Sequence, residues 1–492
     1  MLFNRLVSFN DLSTYLTNHA LSLFVYFMTS TTLSPAKRAY ATRAELRTAC
    51  QTVLEKNSKG NFTIPCAGLY PFQWLWDSAF IAVGWAHIDH ARARAEFQSL
   101  FDAQWSNGFM AHIIYHDDDA GKSYFPGAAF QGASRNPFSP RHVVTSGISQ
   151  PPNLGATLAL LFDKEVAENA KRFPEDAPSV PDPIFYKKAI RHIYRFHQYL
   201  YRDRDPKGEG LVYIRHNWEA GTDNLTQFDA IWQTFDPIDY SVQRRDTQHV
   251  DPKQRPTKKD YNYYLTLIEI SRSVDFDEAE MYEILPFLVQ DPLFNSLLVA
   301  SGESLARMAR HFGMNAIAEQ SEIWAAKTRF AMNEKLLDPI TGVYCYYDLR
   351  NKRLIGGMGS PNMTPLFAGI PSQKSAERLC ETFESLHFAG KNNEFWLGAT
   401  NAVTDPQFDR TRYWRGPVWI NTNWLIWKGC LRYGFHDLAR RIKRDTINLV
   451  LRYGIYEYFD PLKSAADEPD AQGFGGNDFS WTAALILDML AT

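Results

Sequence analysis

The sequence has little of what marks several broad classes of protein. There is no basic excess, since 52 lysines and arginines stand against 55 aspartates and glutamates and the net charge is −3. A nucleic-acid partner, which needs a basic surface, is therefore not indicated. Cysteine is scarce, with five residues and no Cys-x-x-Cys spacing. An odd number of scattered thiols argues against a disulfide framework or a zinc site and favours a reducing, cytoplasmic compartment.

Long hydrophobic runs are also missing. The one doubtful segment, ALSLFVYFM at residues 20–28, is shorter than the roughly 20 apolar residues of a membrane-spanning helix. Only Arg5 supplies a basic residue before it, and no clear small-residue cleavage site follows, so a signal peptide is not favoured. We interpret residues 1–40 as an N-terminal extension, either disordered or packed on the rest, with Met28 as an alternative start. No membrane partner is expected.

Motifs for several common kinds of catalysis are absent from the sequence. It contains no GxSxG, no HExxH and no phosphate-binding P-loop, and its histidines lack metal-ligand spacing. The GFGG at residues 473–476 lacks the preceding strand and the spacing of a dinucleotide site. We therefore expect no metal and no cofactor.

A helical pattern of apolar residues recurs after residue 40. It predicts helices at about 43–56, 77–104, 153–172, 185–203, 258–273, 293–312, 315–335, 373–386, 418–434, 436–453 and 478–491. Strand-like alternation is limited to Leu211–Ile214 and Val343–Tyr347. Eleven segments are close to the twelve helices of an (α/α)6 barrel, and no clear internal repeat indicates an open solenoid. We predict an all-α fold in which residues 41–492 form one such catalytic barrel.

The connections between these helices are long and rich in Trp, Asp, Gly and Pro. They cover residues 62–76, 105–152, 205–257, 338–372 and 387–417. Long loops inside compact domains are usually functional, and we expect these to collect at one mouth of the barrel. Residues 231–257 include the polar run QRRDTQHVDPKQRP, which has few apolar anchors and is typical of a flexible lid.

Aromatic and amide side chains in two of the loops allow two interpretations each. In QWLWDSAF, Trp74 and Trp76 precede Asp77 at a helix start. The rings are equally consistent with core packing or with a platform for a sugar, and Asp77 with a helix cap or an acceptor for sugar hydroxyls. In ISQPPN, Gln150 is either a turn residue or a ligand for a hydroxyl.

Carboxylates in two further loops suggest the chemistry. HNWEAGTDN at residues 216–224 has no helix or strand period and contains Glu219 and Asp223. Glu457 lies between tyrosines in GIYEYFDPL, where a carboxylate is costly unless it is paired or useful. Two carboxylates in an aromatic-lined cleft are the apparatus of glycoside hydrolysis.

Six motifs in order resemble glycoside hydrolase family 63, in the branch of mannosylglycerate and glucosylglycerate hydrolases. They are QWLWDSAF, ISQPPN, WEAGTDN, RPTKKDYNYYL, RYWRGPVW and GFGGNDFSWTAALILDML, and the resemblance runs from about residue 62 to the C-terminus. It implies an (α/α)6 barrel that hydrolyses a 2-O-α-glycosyl-D-glycerate with inversion. The partner is then a small glycoside, and a homo-oligomer would fit because oligomers are common in this branch. The alternatives are an α-glucosidase acting on a disaccharide or oligosaccharide, and a non-catalytic carbohydrate-binding barrel.

The resemblance also assigns roles to individual residues. It implies that Asp223 is the general acid and Glu457 the general base, with Glu219 as a rival acid that otherwise binds hydroxyls or orients its loop. The implied sugar ligands are Tyr70, Trp74, Trp76, Asp77, Gln150, Trp414 and Trp419. The implied glycerate ligands are Arg255, Tyr261, Tyr413 and Gln472. An arginine fork suits the carboxylate of glycerate, although without the resemblance Arg255 would be taken for a solvated surface residue.

Overall fold

The computed structural model describes residues 38–116, 124–173, 179–388, 395–462 and 473–492. Residues 39–492 form a unit of their own. Apart from residues 38–40, the predicted N-terminal extension lies outside the described residues, and so does the alternative start at Met28.

Twelve α-helices of eleven residues or more occur in the described part of the chain. They are α1 Arg43–Asn57, α2 Leu75–Trp85, α3 His90–Asp102, α4 Leu154–Arg172, α5 Pro183–Asp203, α6 Lys258–Ser273, α7 Pro292–His311, α8 Asn315–Ala331, α9 Gln373–Phe383, α10 Ile420–Arg432, α11 His436–Tyr453 and α12 Ser480–Ala491. No helix in these ranges is long and apolar enough to cross a membrane.

Six buried helical segments close into a ring. These are α2, α4, α7, the 3-10 helix Ser360–Leu366, α10 and α12; each packs on the next, and α12 packs on α2. All eleven residues of α2 and all seven of Ser360–Leu366 are buried. The more exposed helices α1, α3, α5, α8, α9 and α11 each precede one inner segment along the chain. The predicted all-α fold and (α/α)6 barrel are confirmed, as six inner segments alternate with six outer helices.

Two helix predictions were wrong for identifiable physical reasons. The predicted helix 77–104 is two helices, because the chain turns at 86–89 and Asp89 caps α3 by accepting hydrogen bonds from its first amides. The fourth inner segment, Ser360–Leu366, was not predicted. Pro361 and Pro365 lack amide donors, which prevents a regular α-helix and leaves a 3-10 helix with no apolar helical period to find.

Short antiparallel strands connect the loops. One sheet contains β1 Gln73–Trp74, β2 Ile113–Tyr115 and β3 Val144–Thr145; a second contains β4 Tyr213–Ile214, β5 Val289–Gln290, β6 Tyr346–Asp348 and β7 Arg353–Ile355; β8 Tyr456–Phe459 pairs with β9 Gly473–Asn477. Both predicted strand regions are confirmed in position, with shorter or shifted bounds. The five cysteines are buried and unpaired, as the sequence predicted.

Candidate active site

A cavity of about 900 Å³, counted with its open mouth, lies among these loops. Several of its lining residues stand at the N-terminal ends of inner helices: Asp77 in the first turn of α2, Gln150 just before α4, and Trp481 at the start of α12. The ring therefore directs them to one mouth. Of the residues predicted for the site, the cavity brings together Tyr70, Trp74, Trp76, Asp77, Gln150, Asp223, Arg255, Tyr261, Tyr413 and Glu457.

Asp223 follows the 3-10 turn Asn217–Ala220. The side-chain amide of Asn217 donates to the Asp223 carbonyl at 2.8 Å, and Gly221, at φ +69°, turns the chain so closely over Trp76 that a Cβ there would meet its ring. The Tyr413 hydroxyl donates to Oδ2 of Asp223 at 3.3 Å. Burial raises the pKa of Asp223 to about 7, with a further rise from Glu457, against opposition from Arg255 and Tyr413. Asp223 thus holds a proton in mildly acidic solution.

Glu457 lies on β8 and is 1% exposed. The Tyr70 hydroxyl donates to its Oε1 at 2.9 Å, and the Gly476 amide on β9 donates to its Oε2 at 3.0 Å. Burial raises the pKa of Glu457 above its usual value, while Arg255, Gly476 and Tyr70 oppose that rise. Because these three groups favour the charged form, Glu457 is equipped to accept a proton.

Arg255 interacts electrostatically with both carboxyl groups and is 5% exposed. Its Nε donates to Oδ2 of Asp246 at 3.1 Å and its Nη2 donates to the Tyr70 hydroxyl at 2.9 Å. Its Nη1 is buried without a hydrogen-bond partner and lies 3.7 Å from Oε2 of Glu457. The guanidinium stacks 3.9 Å above the Tyr413 ring. The expectation of a solvated Arg255 in the absence of the resemblance is therefore wrong, and a donor edge is left for an acceptor in the cavity.

The end of the cavity near α2 is suited to hydroxyl groups. Oε1 of Gln150 accepts from the Trp76 amide at 3.3 Å, which leaves its Nε2 hydrogens for another acceptor. Burial and then the charge of Glu457 raise the pKa of Asp77 well above its usual value. Trp74 and Trp76 are both largely buried and present aromatic surface to the same space. Such walls are typical of small-molecule sites with a few placed polar groups.

Glu219 lies outside the cavity, in a separate ionic cluster. It accepts hydrogen bonds from Arg204 at 2.9 and 3.1 Å and from the amides of Arg215 and Ser149 at 2.8 and 3.0 Å. Burial opposes ionisation, but Arg204 and Arg215 hold its pKa below the usual range. A carboxylate whose partners favour its charged form and occupy both oxygens is suited to orient the loop that carries Asp223; the geometry does not support it as a proton donor or a sugar ligand.

Trp414 and Trp419 are not among the cavity-lining residues, unlike the other predicted sugar ligands. Their rings stack on each other at 3.6 Å and 3°, and they contact Trp76, Tyr413 and Trp481 from within the core. They are thus placed to support the wall without forming it. Gln472, predicted to bind glycerate, lies outside the described residues.

The cavity includes residues that sequence reasoning did not select. They are His112, Tyr124, Trp218, Arg245, Asp246, Tyr264, Phe479 and Trp481, among others. Phe479 and Trp481 lie in one of the quoted motifs, and Asp246 lies in the predicted lid. Their place in these segments was the only feature of the sequence that could have indicated a role in the site. That lid segment contributes Asp246 and Arg255 to the cavity wall, and its mobility stays a prediction. Within the described ranges, no group of three or more His, Cys, Asp or Glu could hold a metal ion.

The chain is similar to known glycoside hydrolases in sequence and in fold. A family model described as "mannosylglycerate hydrolase MGH1-like glycoside hydrolase domain" matches residues 70–482. The chain is similar to the mannosylglycerate hydrolase of Rubrobacter radiotolerans, with 39% identity over 456 residues, covering 91% of this chain and 97% of that one. It is 28% identical to the glucosylglycerate hydrolase of Mycolicibacterium hassiacum over 454 residues, covering 91% and 98%. Among solved structures it resembles the GH63 mannosylglycerate hydrolase from Thermus thermophilus in complex with Tris and D-glycerate, with a TM-score of 0.78, 36% identity and coverage of 91% and 100%.

Proposed function

The chain belongs to the family of mannosylglycerate hydrolase MGH1-like glycoside hydrolases, and we propose that it cleaves a 2-O-α-glycosyl-D-glycerate with inversion. The products are the free sugar and D-glycerate. The observation that carries the proposal is the pairing of two carboxyl groups in one cavity: Asp223, with a pKa of about 7, and buried Glu457. Beside them lies Nη1 of Arg255, which has no hydrogen-bond partner.

Asp223 is the general acid of the proposed reaction. The Tyr413 hydroxyl occupies its Oδ2, so Oδ1 is the oxygen that carries the proton toward the substrate. Transfer of this proton to the glycosidic oxygen lets glycerate leave as a neutral alcohol at that oxygen. The raised pKa matters because an aspartic acid with its ordinary pKa would already be ionised at neutral pH.

Glu457 is the general base. A water between this carboxylate and the anomeric carbon gives up a proton to Glu457 as it attacks the face opposite the leaving group. Tyr70 and Gly476 each donate one hydrogen bond to a different oxygen of Glu457. Each oxygen keeps a further lone pair for the water. Inversion needs a carboxyl separation of roughly 6.5–9.5 Å, which leaves room for that water.

Arg255 supports an anionic leaving group. Its Nη1 has no hydrogen-bond partner and matches one carboxylate oxygen, and Tyr261 and Tyr413 line the same cavity. The solved relative from Thermus thermophilus was captured with D-glycerate, which fits this assignment. Mannosylglycerate is the first substrate to test, since the relative that acts on it is 39% identical and the glucosylglycerate hydrolase 28%.

Incubation with mannosylglycerate, glucosylglycerate, trehalose and kojibiose, followed by NMR of the released sugar, tests the proposal. We expect release from the glycerate compounds, with the β-anomer appearing first because inversion of an α-linkage gives β-sugar. Initial release of the α-anomer would rule out the inverting mechanism. Release only from trehalose or kojibiose would make the enzyme an α-glucosidase, and no turnover of any of these compounds would support a binding barrel.

A further inference from the structure

Asp246, which the family assignments above leave without a role, holds Arg255 of the cavity wall and Arg244 behind it. Its Oδ2 accepts from Nε of Arg255 at 3.1 Å and from Nη2 of Arg244 at 2.6 Å, while its Oδ1 accepts from Nε of Arg244 at 3.0 Å. The Asp246 side chain is 12% exposed and lines the cavity. Burial opposes its ionisation, but Arg255 and Arg244 hold its pKa below the usual range. Asp246 is therefore negatively charged near neutral pH.

Each of these arginines lies on a tyrosine of the cavity. The guanidinium of Arg244 is 4.1 Å above the Tyr261 ring, and that of Arg255 is 3.9 Å above the Tyr413 ring. Nη1 of Arg244 also donates to the Pro256 carbonyl at 2.6 Å, which closes the segment on itself. A single carboxylate thus links two arginine–tyrosine stacks.

We propose that Asp246 is a positioning residue, which fixes the plane of the Arg255 guanidinium so that its Nη1 edge faces the leaving-group carboxylate. This inference rests on the proposed function, because it takes Arg255 as the glycerate ligand. A guanidinium over a ring can still rotate in its own plane. Two anchors prevent this rotation: Asp246 on Nε and Tyr70 on Nη2. Without Asp246, only one hydrogen-bond anchor remains, beside the 3.7 Å ion pair of Nη1 with Glu457.

The charges distinguish positioning from a direct electrostatic effect. Asp246 has the same sign as glycerate, so if it acted only through its field, its removal would strengthen the binding of the anionic substrate. If it acts by holding Arg255, its removal weakens that binding. The sign of the change in KM therefore separates the two roles.

A double-mutant cycle on mannosylglycerate tests the proposal. Wild type, Asp246→Ala, Arg255→Ala and the double variant are compared, with the uncharged glyceramide analogue as second substrate. We expect Asp246→Ala to lower kcat/KM for mannosylglycerate about tenfold, mainly through KM, and to affect the glyceramide analogue far less. When Arg255→Ala is already present, adding Asp246→Ala should change kcat/KM for mannosylglycerate little. Asp251→Ala is the matched control, since exposed Asp251 caps the next turn of the same segment and should stay close to wild type.

Three outcomes would each overturn the proposal. The losses in kcat/KM of the two single variants could multiply in the double variant, as for independent sites. Asp246→Ala could lose equally on both substrates, or it could bind mannosylglycerate more tightly than wild type. If Asp246→Ala does not fold, Asp246→Asn takes its place in the cycle. The amide keeps the shape and one acceptor oxygen, and its smaller loss should again vanish when Arg255 is absent.

The acid limb of the pH profile of kcat/KM, which reports the protonation of Glu457, gives a second readout that does not require a glycerate substrate. Displacement of Arg255 should raise the pKa of Glu457 and move that limb to higher pH, whereas loss of the Asp246 charge alone should move it lower. The other titratable groups around Glu457 are Cys66, Tyr70, Asp77, Asp223, Tyr413 and Tyr458, and the substitution replaces none of them. If wild type cleaves only neutral α-glycosides, the proposed leaving group fails, and the direction of this limb on that substrate still decides the role of Asp246.

Discussion

At the level of single residues, the proposed chemistry depends on two carboxyl groups with unequal surroundings. The Asp223 carboxyl group accepts a hydrogen bond from the Tyr413 hydroxyl, and burial favours its protonated form. Glu457 receives hydrogen bonds on both oxygens and has Arg255 beside it. Burial raises the pKa of both carboxyl groups, but Glu457 has more partners that favour its charged form. Such unequal surroundings are how enzymes divide acid and base roles between two carboxyl groups.

Asp223→Asn and Glu457→Gln should each lower kcat on mannosylglycerate by about 10²- to 10⁴-fold, because each removes a proton transfer and keeps the shape. The two variants should differ on α-mannosyl fluoride, whose fluoride leaves without a proton. Asp223→Asn should regain most of its activity there and Glu457→Gln should not. Initial rates on both substrates check this, and equal rescue of the two variants would contradict the assignment.

The alkaline side of the pH profile should report Asp223. The acid works only when protonated, and its pKa is raised to about 7, so its active form is nearly complete at pH 5 to 6. Above about pH 7, kcat/KM on mannosylglycerate should fall toward tenfold per pH unit. With α-mannosyl fluoride the same limb should flatten. A limb that stays unchanged with the fluoride would mean that another group is titrating.

Residue identity was more predictable from the sequence than residue orientation. The motif order pointed to Asp223, Glu457 and Arg255, and the cavity contains all three. It could not show that Glu219 is neutralised by Arg204, since that arginine lies 15 positions away, at the end of another helix. Asp246 was hidden for a similar reason, because its importance comes from two arginine contacts and not from its own motif.

At the level of elements, the hairpin of β8 and β9 determines where the base sits. Gly475 on β9 has φ +71°, and a Cβ there would meet Oε2 of Glu457 and the Tyr458 ring. The position therefore needs glycine both for its backbone conformation and for its closeness to the carboxylate.

Gly475→Ala should lower kcat strongly, by about tenfold or more, because Glu457 must move away from its water. Gly313→Ala is a matched control: Gly313 has φ +69° in the turn after α7, and a Cβ there meets nothing within 4 Å. Both changes strain the backbone, at about 1 kcal/mol, so both should lower the unfolding midpoint. Only Gly475→Ala should lose turnover; equal kinetics in the two variants would show that the close contact is unimportant.

At the level of the whole molecule, the helix count led to the right architecture through compensating differences. The segment 77–104 supplied two helices of the barrel, one inner and one outer, instead of one, and 258–273 formed a helix that belongs to neither set. The inner segment Ser360–Leu366 was missed because prolines remove its α-helical pattern. Amphipathic period identifies helices, but only packing decides which of them close the ring.

The ring closes where α12 returns to α2, and Asp488 on α12 ties that closure together. Its Oδ2 accepts from Trp424 and Lys428 of α10 at 2.9 Å each, and its Oδ1 lies 3.1 Å from Nε2 of His87, just after α2. These partners outweigh burial and lower the pKa of Asp488 to about 2. One carboxylate thus connects the last inner helix to its two neighbours in the ring.

Asp488→Asn should lower the free energy of unfolding by about 2 kcal/mol at pH 7, because lowering a carboxyl pKa from 3.8 to about 2 is worth that much. A depressed pKa stabilises the fold above the unfolded value and loses this contribution as pH falls. The gap between wild type and Asp488→Asn should therefore be constant from pH 7 to about pH 5 and shrink toward pH 2. Thermal unfolding across this range measures it, with Asp163→Asn, in an exposed pair with Arg307, as a control that should change little. A gap that persists at the lowest pH would mean that Asp488 stabilises the closure by packing and not by its charge.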